Sequence, residues 1–374
     1  MNIKKNIVTF IFLAFIGVLA ILLFALPKSD YSQNEKRVLA DFPEVSFESI
    51  TSGEFSTGID TYTADQFPFR DFFVGINSYY ELLTGRNGVS GVYKCKDGYL
   101  IATPQELDEE LCKRNVERFA EFAKQQGLPS TLMVVPTAGY IMEEELPANH
   151  DRYEDDKIFD IIQENKGELN FIDLRDTFQK SKENTQLYYK TDHHLTSAGA
   201  YVMYQQFCKQ NGIEPVTEFS EKEILKDFYG TNYSKSGLWM EKPDEVEIWH
   251  SASGNQFEVT IDDSTEKQTY DSLYFYEHDK NMDKYPVFLD GNHSLVTVRN
   301  KDCHNGKKLL IIKDSFAHCF TTFLCEDYEE IYMIDLRYYR NSVSDFIEQN
   351  EVNELLYLYG ADNISSSTDT AWLQ

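Results

Sequence analysis

Positive charge is scarce in this chain of 374 residues: 35 Lys and Arg stand against 62 Asp and Glu, for a formal net charge of −27. A surface that negative repels phosphate backbones and anionic headgroups at long range, which argues against a nucleic-acid binder or a protein held on a bilayer by charge. Neutral, cationic and carbohydrate partners stay open. Paired cysteine motifs are missing too. Cys95, Cys112, Cys208, Cys303, Cys319 and Cys325 contain no C-x-x-C, so neither a zinc ribbon nor a thioredoxin-like site is indicated. Scattered buried thiols are the expectation. Apolar residues are not lacking, since 42% of the side chains are hydrophobic and 14% aromatic. That excludes disorder over most of the chain and suffices for one large or two ordinary domains.

Charge is absent altogether from Ile7 to Leu26, a run interrupted only by Thr9 and Gly17. A helix of that length spans the hydrocarbon core of a bilayer at ~1.5 Å per residue. A cleaved signal peptide is the competing reading, but the apolar part exceeds the usual ~7–15 residues and no small-x-small cleavage site follows. An uncleaved anchor is therefore expected at residues 1–27. Lys4 and Lys5 on one side face Lys28, Lys36 and Arg37 on the other, nearly a tie under the positive-inside rule, so the charges alone leave orientation open.

Residues 28–104 read as a juxtamembrane region that packs on the main domain. It holds a helix from Phe69 to Leu83 and a hairpin-like pair in GVYKCKDGYLI around Asp97-Gly98. From residue 105 to 374 helices alternate with short apolar strands, the pattern of a parallel sheet covered by helices. Glu106–Gln126 reads as a helix closed by Gly127, Ser130–Pro136 and Leu169–Leu174 as strands, and Lys157–Asn165 as a helix. A helix capped by Thr196 or Ser197 runs to about Gln210. Residues 213–305 break this rhythm and read as a largely β insertion or flank. KKLLIIK, EIYMIDL and ELLYLYG then follow as strands apolar on both faces, as central parallel strands are.

Chemistry concentrates where two of these segments end. In KLLIIKDSFAHCF, Ser315 follows an apolar strand and opens a helix, the place where open α/β sheets build ligand sites. Helix-start N–H groups there can stabilise an oxyanion, although Asp and Ser are also ordinary helix caps. In YYKTDHHLTSAGA, Asp192, His193 and His194 stand just before a capped helix. An imidazole that takes a serine proton and a carboxylate that fixes its tautomer are what serine chemistry requires, and Asp192 with His194 supplies both from one loop. Asp and two His are also metal-ligand types. Adjacent His193 and His194 diverge in extended chain and no third cluster completes a site, so no metal is expected. His318, three residues past Ser315, reads as a flank of the core rather than a base. Arg337, at a strand end, can contact an acyl carbonyl or a sugar acid, or pair with a surface carboxylate.

Taken together, SQNEKRVLADFP, DQFPFR, YYKTDHHLTSAGA, FYGTNYSKSGL and LLIIKDSFAHCF…IYMIDLRYY resemble the DHHW family of bacterial surface proteins. That family is similar to the alginate O-acetyltransferases of the SGNH-hydrolase-like superfamily. The resemblance implies an SGNH-like, flavodoxin-like α/β fold with a parallel sheet flanked by helices, outside the cytoplasm on a single-pass anchor. It implies Ser315 as nucleophile, His194 as general base and Asp192 as its orienter. The implied reaction carries an acyl group, most readily acetyl, from a donor to a glycan. A polytopic membrane O-acyltransferase is the implied partner, and no cofactor is needed. Two positions depart from the family pattern: Leu195 replaces its tryptophan, and Gly360 stands where relatives place an Asn. Asn363, three residues on, or backbone N–H groups are left to serve the oxyanion. A carbohydrate esterase with the same triad, and a non-catalytic glycan- or protein-binding protein, are the alternatives. The net charge favours a neutral or amino-bearing acceptor.

Overall fold

In the computed structural model, residues 3–32, 37–263 and 266–373 are described; Gln33–Lys36 of the SQNEKRVLADFP string, including Lys36, lie outside them. Helix α1 (Ile3–Ala25) contains Ile7–Ala25, a stretch of mean hydropathy 3.1 with none of it buried. By length and composition it can cross a bilayer, a test that a signal sequence also passes.

The chain forms two compact units, Met1–Ser90 with Tyr233–Met240, and Gly91–Asn232 with Glu241–Gln374. The first adds α2 (Phe47–Ser52), α3 (Glu54–Asp65) and α4 (Arg70–Leu83) to α1. Within it, Trp239 stacks on Phe72 of α4 and meets Tyr79 of the same helix edge-on. Helix α4 occupies the span expected to be helical.

In the second unit, β1 (Val92–Lys94) and β2 (Leu100–Ala102) form the antiparallel pair expected around Asp97-Gly98. Helix α5 (Glu109–Gln126) starts later than Glu106 because Asp108 caps it through the Leu111 N–H, and it ends on left-handed Gly127. Then come β3 (Ser130–Val135), α6 (Asp155–Asn165), β4 (Asn170–Asp173) and α7 (Ser197–Asn211). Thr196, not Ser197, caps α7. Residues 213–305 supply β5 (Phe219–Phe228) paired with β6 (Asp244–Ser251), then β7 (Phe257–Asp262), β8 (Lys267–Tyr270) and β9 (Leu295–Asn300). The chain closes with β10 (Lys308–Lys313), α8 (Ala317–Leu324), β11 (Glu330–Ile334), α9 (Val343–Asn350), β12 (Glu354–Gly360) and α10 (Ala361–Ser366).

Eight of these strands make one sheet in the order β8-β7-β9-β11-β10-β12-β3-β4. The five from β11 to β4 are parallel, whereas β9, β7 and β8 continue the sheet antiparallel. So the β-rich stretch does not stand apart from the sheet: three of its strands extend it. Alternate residues of the parallel strands feed two cores. Leu309, Ile311, Met333 and Leu356 pack with Met203 and Phe207 of α7 and Phe320 of α8 on one face. Leu310, Ile312, Tyr332 and Leu355 pack with Phe119 of α5 and Phe159 of α6 on the other. This period-two division of nearly continuous apolar runs is what a sheet covered on both faces demands. None of the six cysteines is in a disulfide, and all but Cys303 are buried.

One carboxylate works against this packing. Asp327, between α8 and β11, accepts a 2.7 Å hydrogen bond from Tyr204 Oη, and burial raises its pKa to about 6. A raised carboxyl pKa means that the folded state binds the proton more tightly, so this group's contribution is most favourable below about pH 4 and is lost as pH rises through 6. Asp327→Asn keeps an acceptor for Tyr204 without the charge. It is expected to raise the thermal midpoint at pH 7.5 through a gain in unfolding free energy on the order of 1 kcal/mol, after allowance for partial exposure. The gain should shrink towards zero at pH 4, as followed by thermal unfolding at both pH values.

Candidate active site

Ser315 lies two residues beyond β10 and two before α8, half-buried at the carboxyl edge of the parallel sheet. Its Oγ is 2.7 Å from His194 Nε2. On the other side of the ring, Nδ1 is 2.5 Å from Asp192 Oδ1. A carboxylate on Nδ1 holds the ring proton there, which leaves the Nε2 lone pair facing the serine hydroxyl. Residues 121 apart in sequence are thus joined in one hydrogen-bonded line, and the three side chains singled out in the sequence come together.

The chain holds each member from several directions. Asp192 is 2% exposed, and its oxygens are satisfied locally. Oδ1 also accepts from the His194 N–H at 2.9 Å, and Oδ2 from the Thr231 N–H at 2.6 Å. Thr231 follows Gly230, where an added Cβ would fall 2.2 Å from Asp192 Cβ. No other residue fits there, because the backbone itself has to approach the carboxylate. The segment leading into Asp192 is fixed by buried Asp244, which accepts from the N–H groups of Lys190 and Thr191 and from Thr191 Oγ1. His194 is stacked on Tyr285, with centroids 3.8 Å apart and planes 11° apart, and Phe316 meets it edge-on. Tyr285 Oη also donates to the Ser315 carbonyl at 3.0 Å. This one buried tyrosine therefore touches both the imidazole and the backbone of the serine.

Behind Ser315, Asp314 is buried, and burial raises its pKa. It accepts from the Gly360 N–H and Asn363 Nδ2, both at 2.7 Å, and from the Phe316 N–H at 3.0 Å. Asn363 is therefore directed to Asp314, the residue before the serine. Gly360 also has a packing reason, since a Cβ there would meet the Phe316 ring at 2.6 Å. Leu195, 2% exposed, is part of the core. Arg337 makes a bidentate pair with buried Asp335 and reaches Asn292 Oδ1 at 3.0 Å. Asp335 also takes Lys313 Nζ at 3.2 Å. Burial opposes charge on Asp335, but Arg337 and Lys313 outweigh it and hold its pKa below the usual carboxylate range. His318 faces Lys313 Nζ at 2.8 Å, and burial together with that ammonium pushes its pKa far down. It stays neutral inside the core, as its position after Ser315 suggested.

Tyr285 was not visible as a site residue in the sequence, because it belongs to no local motif; Lys313 and Asp335 lie inside the strings KLLIIKDSFAHCF and IYMIDLRYY, but nothing in those strings shows that the two side chains pair. Thr231 had a signal: it lies within FYGTNYSKSGL.

Gly230→Ala is expected to push Asp192 away from His194. Its His194 ring should then lose the fixed Nδ1 proton, seen as loss of a strongly downfield imidazole proton resonance, while far-UV circular dichroism stays unchanged.

The profile described as DHHW protein matches residues 35–103 and 134–334. A DHHW family protein from Eubacterium siraeum superposes with a TM-score of 0.65 at 22% identity, covering 76% of this chain and 95% of its own. PatB1 of Bacillus cereus, solved with a sulfonyl adduct, superposes at 0.63 and 18% identity, covering 75% and 97%. The O-acetyltransferase domain of Pseudomonas putida AlgJ aligns at 0.49 and 15% identity, covering 76% and 95%. No curated protein sequence matches. With most of its length matched, the chain belongs to the DHHW protein family.

Proposed function

We propose that this protein is an extracytoplasmic, membrane-anchored O-acyltransferase of SGNH-like fold, which moves an acyl group, most readily acetyl, onto a cell-surface or secreted polysaccharide. The observation that carries the reading is the unbroken Ser315 Oγ–His194 Nε2 and His194 Nδ1–Asp192 contact pair, at 2.7 and 2.5 Å. Serine is a weak nucleophile until a base takes its proton, and this arrangement provides the base and its orienter. Further support comes from PatB1, a protein of the same fold solved with a sulfonyl adduct, the kind of product an activated hydroxyl forms with a sulfonyl electrophile. The acetyl group and the glycan acceptor follow from the motif resemblance to the alginate O-acetyltransferases.

In the proposed cycle Ser315 Oγ attacks the carbonyl carbon of an acyl donor while His194 Nε2 takes the hydroxyl proton. Asp192 stabilises the imidazolium that results. The Ser315 N–H, without a partner among the described residues, is available to the developing oxyanion. Collapse expels the leaving group, which takes the proton from His194, and leaves an acyl-serine. A sugar hydroxyl, deprotonated by His194, then attacks the acyl carbonyl and restores Ser315. Arg337 and Asn363 act around this centre, Arg337 towards substrate and Asn363 through Asp314. A polytopic membrane acyltransferase supplies the donor on the outer face, and residues 7–26 keep the protein beside it. The departures at Leu195 and Gly360 are absorbed by packing and leave the Ser315–His194–Asp192 line intact.

The test is turnover of a chromogenic acetate ester by the full chain in detergent, with Ser315→Ala and His194→Ala beside it. Both substitutions should lower the rate by at least ~1,000-fold, and adding a neutral oligosaccharide should divert acetyl from water to sugar. Ester turnover without sugar acylation would make the protein an esterase. A wild type no faster than either variant would leave a surface-binding protein.

A further inference from the structure

The segment that delivers Tyr285 is closed at its two ends by a second cluster of titratable groups. His278, in the short turn Tyr276–Lys280, places Nε2 2.5 Å from Asp290 Oδ1. The other oxygen of Asp290 lies 3.2 Å from His293 Nε2, and His293 Nδ1 is 2.7 Å from Asp263 Oδ2. Glu277 joins them: Glu277, His278 and Asp290 each offer a ligand-type atom within 4.8 Å of the other two. The turn is held in an unusual backbone conformation, with φ of 56° at Leu289, 61° at Asp290 and 80° at Gly291. For the two non-glycine residues that costs ~1–3 kcal/mol each, and the hydrogen bonds to Asp290 are what the turn secures.

Charge, donor type and outer contacts all bear on what this cluster does. Asp263, Glu277 and Asp290 set three carboxylates against two imidazoles, so the cluster remains anionic however the imidazoles are protonated. Imidazole nitrogen combined with carboxylate oxygen suits first-row divalent metals, whereas magnesium and calcium prefer oxygen alone. The Asp263–His293–Asp290 chain has the form of the outer hydrogen bonds that orient metal-binding carboxylates. We propose that Glu277, His278 and Asp290 bind a divalent first-row transition-metal ion. An ion ~2.1 Å from both His278 Nε2 and Asp290 Oδ1 requires those atoms to part to roughly 3 Å, within reach of side-chain rotation. Exposed Glu277 leaves the remaining coordination to water. The metal is structural: it staples residues 277–290, the segment whose Tyr285 backs His194. Its binding does not depend on the chemistry proposed at Ser315.

Full-length protein in detergent, stripped with EDTA and then freed of it, would be titrated calorimetrically with Zn²⁺ and with Mn²⁺. Wild type should bind one equivalent of at least one ion and gain thermal stability with it. His278→Ala should weaken that binding by ~100-fold and Glu277→Gln by ~10-fold, a range typical of lost metal-site contacts. Glu277→Gln changes an exposed side chain and keeps the test readable if His278→Ala folds poorly. Absence of saturable binding would overturn the proposal. So would one-equivalent binding retained by both variants, which would move the ion to Asp192, His193 and His194, whose donor atoms also lie within 4.8 Å of one another.

Discussion

A carboxylate removed from water has to recover its hydrogen bonds from the protein or give up its charge, and Asp192 meets that demand in full. Two N–H groups and an imidazole reach its two oxygens. The donors are fixed by different pieces of chain, His194 by its own loop and Thr231 by the close approach at Gly230, while Asp244 holds the segment leading into Asp192. Because the charge is so fully satisfied, its direction is set, and with it the tautomer of His194 and the lone pair offered to Ser315. The site is therefore organised from the buried acid outward, and Ser315, the proposed nucleophile, is its last and most exposed member.

The sheet makes that convergence possible. Parallel strands direct their carboxyl ends to one edge, so the loops after β10 and β11 and the end of β12 present Ser315, the Asp335–Arg337 pair and Gly360 together. The stretch from β5 to β9 then does two jobs. Strands β7 to β9 widen the sheet, while the loops around Gly230 and Tyr285 reach the acid and the imidazole. Tyr285 clamps the ring by stacking and the serine by its hydroxyl. An imidazolium formed in the proposed acyl transfer would lie over an aromatic face that favours cations.

Much of this was legible in the sequence. The central strands announced themselves by unbroken apolar runs, α7 by its cap and terminal glycine, and Ser315, His194 and Asp192 by motifs at strand and loop ends. The antiparallel continuation through β7 to β9 was not, because short alternating strands carry no label of the partner they join. Nor were the roles of Tyr285, which stacks on His194 across 91 residues, and of the Lys313–Asp335 pair, which joins residues 22 apart. Asn363 shows the reverse case. Its place after the last strand suggested an oxyanion donor, yet its amide goes to Asp314, since a buried carboxylate beside it competes for the same hydrogen bond.

Reaction of the purified protein with phenylmethylsulfonyl fluoride, followed by intact-mass and peptide-mass spectrometry, tests the central claim that Ser315 is activated through His194. A single sulfonyl group on the peptide carrying Ser315, forming at least ~100-fold more slowly in His194→Ala, is the result the geometry predicts. Labelling at other residues, or equal rates with and without the imidazole, would contradict it.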